Sequence, residues 1–303
     1  MTIEPFEGKV ADGRIFGRGA CDTKGTGAAM LWALKEAVAE RRLEVNVALL
    51  YTIDEEAGRS GVRAFVDHHL EGLGWRPAGV VVGEPTSLRM VTAHNGTVRW
   101  RIRTQGVAAH SSDPPQGRSA IRSMTIVMDA LERQYIPTLD ASHPLVGKAQ
   151  CSVNLIRGGT LINVIPESCE IWLDRRTVPG EDGRAVAGAV ESILERVRQQ
   201  HTDLEVVQDP PTIEPALSPD LNREFASRIG RVLDSLDMAS EAVGAKYGTH
   251  ASSFASAGLP AIVLGPGQIA QAHSAQEYLT LDDLHRGVEV YRKLMLQPAA
   301  AWI

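Results

Sequence analysis

Cysteine is scarce in this 303-residue chain, which carries only Cys21, Cys151 and Cys169. They form no metal-ligating pair spacing and leave an odd thiol, so the expectation is three packed thiols in a reducing, cytoplasmic setting. No apolar run approaches the roughly 18 residues that a membrane span needs. A net charge of -6 leaves no general basic field, so nucleic acid and membranes are excluded as expected partners. The opening Met1 to Glu7 has neither a basic nor an apolar stretch of the kind that directs export. There is no internal repeat and no low-complexity tract. No histidine precedes His68, and the early segment Val10 to Phe16 is broken by Asp12-Gly13-Arg14, too short and polar for a central parallel strand.

The length suits two domains, or one domain with an insertion. Ala28 to Val38 has helical spacing, Val45 to Ile53 reads as a buried strand, Gly61 to Leu70 as a helix and Gly79 to Gly83 as a second buried strand. Near-continuous apolar strands separated by helices predict a mostly parallel sheet covered on both faces, with ligands at the carboxyl ends of its strands. From about His94 the pattern changes to alternation, clearest over Thr97 to Thr104. A helix over Ala120 to Tyr135, strands near Cys151 to Arg157 and Cys169 to Asp174, a helix over Arg184 to Gln200 and a strand over Leu204 to Val207 complete a β-α-β-β-α-β order. The chain then returns to helix (Leu221 to Leu236), strand (Ala261 to Leu264) and helix (Leu281 to Leu296). The predicted organisation is α/β, with a first domain formed by residues 1–93 and 206–303 and an inserted α+β domain over 94–205.

Gly17-Arg18-Gly19-Ala20-Cys21-Asp22-Thr23-Lys24-Gly25 sets an acid at a glycine-rich turn before a helix, either to cap it or to reach a ligand. Asp54-Glu55-Glu56 follows one expected strand and Glu84 follows the next; each also reads as a solvated turn acid. His273 follows the third strand, after Gly265-Pro266-Gly267. Asp22, Glu56, Glu84 and His273 would bring carboxylate and imidazole donors to one sheet edge, a mixture suited to zinc, cobalt or manganese that would also offset the clustered negative charge.

Four stretches in order, Gly-Arg-Gly-Ala-Cys-Asp22-Thr-Lys-Gly, Asp54-Glu55-Glu56-Ala-Gly, Gly-Glu84-Pro-Thr and Gly-Pro-Gly-Gln-Ile-Ala-Gln-Ala-His273, resemble the successive motifs of one family. This is the acetylornithine deacetylase, succinyl-diaminopimelate desuccinylase, aminoacylase and glutamate carboxypeptidase family of dinuclear metallopeptidases. The resemblance implies a metallopeptidase domain with an inserted ferredoxin-like dimerisation domain, a homodimer, Zn2+ or Co2+ as cofactor, and cleavage of the amide of an N-acyl amino acid or small peptide. It implies Asp22 as the bridging carboxylate, Glu56, Glu84 and His273 as further ligands, and Glu55 as general base. Gly106-Val107-Ala108-Ala109-His110-Ser111-Ser112 resembles the segment whose His supports the substrate carbonyl from a partner subunit. Asn163 and Arg176 resemble substrate contacts, with turn capping and ion pairing as their other readings, and Thr249 matches a position near substrate. Where the family often has an acid, this chain has His250. The last motif looks most like acetylornithine deacetylase.

The family's first ligand, the His of an early His-x-Asp strand, has no counterpart here. By the family pattern one ion keeps Asp22, Glu56 and His273 while the other keeps Asp22 and Glu84. The expectation is a chain shortened at its amino end; the alternative is a catalytically silent homologue that retains only dimerisation.

Overall fold

In the computed structural model, which describes residues 1–302, the polar break at Asp12-Gly13 is a hairpin turn. Both residues take positive φ (49° and 70°), as a two-residue turn between twisted strands requires, and they fold β1 (Val10–Ala11) back on β2 (Arg14–Phe16). The chain then runs through the Asp22 loop into α1 (Gly25–Ala39), followed by α2 (Ser60–His68), β3 (Val80–Val82) and β4 (Val91–His94).

Contacts divide the chain into two units, Met1–His94 with Leu217–Ala245 and Thr249 onward, and Asn95–Ala216 with Lys246–Gly248. In the second unit, β5 (Gly96–Gln105) alternates between buried and more open positions. It leads to β6 (Ala109–His110), α3 (Ala120–Ala130), the hairpin β7 (Ser142–His143) and β8 (Gly147–Lys148), and then β9 (Gln150–Gly158). β10 (Val164–Ile165), β11 (Ser168–Thr177), α4 (Gly183–Gln200), β12 (Glu205–Gln208) and β13 (Thr212–Glu214) complete it. The sheet runs β12-β5-β11-β9 with every pairing antiparallel. Ile102, Met124, Ile171, Val190 and Leu194 belong to a single apolar core between the sheet and its helices. The second crossing between units falls at Leu217, later than the 205/206 boundary expected from sequence, because β12 and β13 both pair with β5.

Back in the first unit come α5 (Arg223–Asp234), β14 (Val243–Ala245), α6 (Ala251–Ser256), β15 (Ala261–Val263), β16 (Tyr278–Thr280) and α7 (Leu281–Met295). Its main sheet runs β14-β4-β15-β3, with two parallel pairs joined by an antiparallel contact at Val263 and Val91. Ala29 and Ala33 of α1 recur at helical spacing and join Ile262, Leu264, Val290 and Tyr291 in the core. β3 and β15 are parallel neighbours, so the loops leaving their carboxyl ends, with Glu84 and with Gly265-Pro266-Gly267, lie side by side: the amides of Thr86 and Ser87 donate to the carbonyls of Gly265 and Gly267. β16 pairs antiparallel with β2, with Tyr278 opposite Phe16. That pairing lays the segment before Tyr278 along the segment after Phe16.

Two sequence readings change. Val45 to Ile53 is not a strand: no described strand pairs with it, and Tyr51 and Ile53 are exposed. An apolar, β-branched run becomes a strand only where a neighbour takes up its backbone hydrogen bonds, and the sheet stops at β3. Leu31, Trp32 and Val38 of α1 are exposed as well. Conversely, β4 is a fully buried strand of the first unit, hidden in the sequence because only Asn95 separates it from β5.

Candidate metal centre

Of the three consecutive acids at 54–56, Asp54 is used locally. It takes positive φ, and its Oδ2 accepts the Ser60 hydroxyl (2.8 Å) and amide (3.4 Å) at the start of α2. This leaves Glu55 and Glu56 on a tight turn. Glu56 Oε1 lies 2.5 Å from His273 Nε2, and the same nitrogen is 3.2 Å from Asp22 Oδ2. Asp22, Glu56 and His273 each offer one donor atom, all within 4.8 Å of one another. Glu84, buried at the end of β3, feels the charge of the Asp22 carboxyl. Glu55 pairs with Arg59 Nε at 3.3 Å, and Arg59 Nη1 donates to the Thr249 carbonyl.

The electrostatics follow from crowding. Burial, then the neighbouring Glu56 charge, holds Asp22 above the ordinary carboxylate range. Burial and the Asp22 charge push Glu84 well above it. Burial also raises Glu55, against the opposing effect of Arg59. The hydrogen bond to Glu56 raises His273. Four carboxyl groups therefore crowd around one imidazole and one guanidinium, and a divalent cation fits this donor set because it would supply the missing positive charge.

The Asp22 loop is held from beneath. Glu277, with no exposure, accepts hydrogen bonds from the amides of Gly19, Cys21 and Asp22 and from Arg18. Cys21 is buried under the loop, its Sγ 3.5 Å from the Gln268 carbonyl.

The profile of peptidase family M20/M25/M40 matches residues 1–297. The chain belongs to peptidase family M20. A curated relative, acetylornithine deacetylase of Myxococcus xanthus, is 31% identical over 293 residues, covering 91% of this chain and 70% of the relative. Among solved structures, the M20 metallo-carboxypeptidase Sso-CP2 of Sulfolobus solfataricus superposes with a TM-score of 0.77 at 17% identity, covering 97% of this chain and 80% of that one. The Bacillus subtilis YXEP protein, a dinuclear metal-binding M20 peptidase, gives 0.69 at 15% identity, covering 91% and 72%. The α/β fold is thus that of M20 enzymes, and the chain is a hydrolase acting on amide bonds. No described helix is long and apolar enough to cross a membrane.

The remaining M20-like positions fall in several places. Thr249 is fully buried; its amide donates to His94 Nε2 at 3.3 Å, and its hydroxyl accepts the Ala251 amide at the start of α6. His250 places Nδ1 3.3 Å from the Thr52 hydroxyl, leaves Nε2 buried without a partner, and is pushed down to about 4, chiefly by burial and then by Arg59. In the second unit, His110 pairs with Val164 across β6 and β10, and the Asn163 carbonyl accepts the Ser111 amide, so His110 and Asn163 are neighbours. Arg176 sits toward the opposite end of β11, across from Thr97, and pairs with Asp174 at 2.6 Å. The structure does not bring it to His110 and Asn163. Glu277, Arg18 and Arg59 escaped the sequence reading, since their partners are backbone groups or a neighbouring acid that no motif spacing announces.

Proposed function

We propose that this chain is a metal-dependent amidohydrolase that releases an amino acid from an N-acyl amino acid or small peptide, with acetylornithine deacetylase-like substrates. The observation that carries the reading is the convergence of Asp22, Glu56 and His273 donors beside Glu55 and Glu84. Asp22, Glu56 and His273 would hold one ion and Asp22 with Glu84 would face a second, with Zn2+ or Co2+ matching the oxygen and nitrogen donors. A bound ion of this kind polarises the scissile carbonyl and eases deprotonation of water.

Glu55 acts as the general base, taking a proton from the attacking water and passing it to the leaving amine. Arg59 and the turn at 54–58 fix its direction. The Ser112 amide donates to His110 Nδ1, which puts the ring proton on Nε2, the donor that would support the developing oxyanion. Asn163, Arg176 and Thr249 are assigned to substrate by likeness to family positions. The α+β unit serves as the dimerisation domain of a cytoplasmic homodimer in this reading.

With added zinc or cobalt, hydrolysis of N-acetylornithine, other N-acyl amino acids and dipeptides tests the proposal. Glu55→Gln should lower turnover by a factor of about a hundred or more at unchanged metal content. A second reading is a silent homologue that keeps only dimerisation: among the described residues the clustered donors are Asp22, Glu56 and His273, and Glu84 is not one of them. Dimerisation and metal uptake without turnover of any of these substrates would select it.

A further inference from the structure

Glu277 is a fully buried acid that lies outside the donor set yet is bonded directly to it. Its Oε1 accepts the amides of Cys21 (3.0 Å) and Asp22 (2.9 Å). Its Oε2 accepts the amide of Gly19 (3.0 Å) and Arg18 Nη1 (2.8 Å). Four donors saturate the lone pairs of an ionised carboxylate. Three of them are amides of one short loop, turned inward around an anion that the chain itself provides. The Glu277 carbonyl accepts the Gly17 amide, and Arg18 Nη2 donates to the Ser274 carbonyl, one residue beyond His273. The loop carrying Asp22 and the loop carrying His273 are therefore tied together by one carboxylate and one guanidinium. One of those bonds ends on the backbone of Asp22 itself. The 3.2 Å between Asp22 Oδ2 and His273 Nε2 is measured across this tie.

A neutral acceptor could satisfy some of these amides. A second negative charge close behind Asp22 opposes the clustering of acids at the site, and Arg18 offsets it. The geometry explains why a carboxylate stands here: only an anion with both oxygens accepting can receive three amides and a guanidinium at once.

We propose that Glu277, braced by Arg18, is a positioning residue of the metal centre, setting the separation and direction of Asp22 and His273 before an ion arrives. This rests on the metal-binding reading of the site. Groups that orient ligands from behind change metal affinity by about 10–100-fold when they are altered.

The test is Co2+ titration of the whole chain, followed by calorimetry and by the visible d–d spectrum, with metal-free melting measured alongside. Glu277→Gln keeps the shape but turns an NH2 toward donors. It should weaken Co2+ binding by about 10–100-fold and alter the spectrum in the protein that remains folded. A purely structural Glu277 would lower metal-free melting and leave affinity and spectrum unchanged, which overturns the proposal. Should Glu277→Gln not fold, Arg18→Gln carries the test: it leaves the three amide bonds and removes the strut to Ser274. About 10-fold weaker binding supports the proposal and wild-type affinity overturns it. A wild-type chain that takes up no Co2+ overturns the metal reading, and this one with it. Uptake by wild type matched by both variants overturns the positioning role alone.

Discussion

Acids in the two units are compensated in opposite ways. On β5 of the α+β unit, Arg99, Arg101 and Arg103 line one face of the strand and meet Asp174, Glu170 and Asp209 at 2.6–2.9 Å, with Arg176 also on Asp174. Hydrogen bonds from Arg101 and Arg103 hold the Asp209 carboxyl below its ordinary range. In the first unit Asp22, Glu55 and Glu84 are held above it. Where arginines match the acids, carboxylates are structural; where four carboxyl groups share one guanidinium and one imidazole, the acids are left to compete for protons or for a metal. The same residue type thus reports two roles through the sign of its shift.

The strongest way to break this contrast is Asp22→Ala. It should abolish Zn2+ or Co2+ uptake, a loss of more than about 100-fold, because the proposed reading places Asp22 in both donor sets; calorimetry and metal analysis of the purified variant check it. If uptake survives, the uncompensated acids have another explanation.

A smaller effect separates the two units by pH. Asp22, Glu55 and Glu84 bind protons more tightly in the folded state, so metal-free stability should fall as pH rises from about 4 through their raised folded values. Asp209 has the opposite sign: its contribution is present above about pH 4 and is lost as pH falls through its depressed folded value. Glu84→Gln should therefore raise the metal-free melting temperature at pH 8 by roughly 3 °C and flatten its pH dependence, and saturating Zn2+ should erase the gain.

The smallest effect is expected from Asp209→Asn. Its arginine partners are partly solvated, so melting should drop by no more than roughly 2 °C at low salt and by less in 1 M NaCl. A larger, salt-independent loss would mean that this arginine network matters to stability as much as the buried acids around Asp22 do.

That Asp22 and His273 would lie together was legible because each sits where a glycine-containing turn interrupts a regular pattern, and such turns gather at one edge of an α/β sheet. Gly96–Gln105 was legible for a different reason, since a half-buried strand carries its environment in its alternation. Val45–Ile53 was misread because apolar residues record a preference for burial and not the presence of a neighbour. The division of labour among Asp54, Glu55 and Glu56 was legible only in part, because the positive φ at Asp54 that turns its carboxylate onto Ser60 leaves no mark on composition. Glu277 was invisible as a clamp, since its partners are amides that every residue possesses.

Cys21 gives the Asp22 loop a built-in clock. Its thiol is pushed up to about 12, chiefly by burial, and a Cβ added at Gly267 would stand 2.6 Å from the sulfur, so the loop closes tightly over that glycine. An alkylating reagent needs both room and a thiolate, and the closed loop offers neither. Alkylation of Cys21 would therefore require residues 17–22 to part from the Gly267-Gln268 backbone, and an ion held between Asp22 and His273 should slow it.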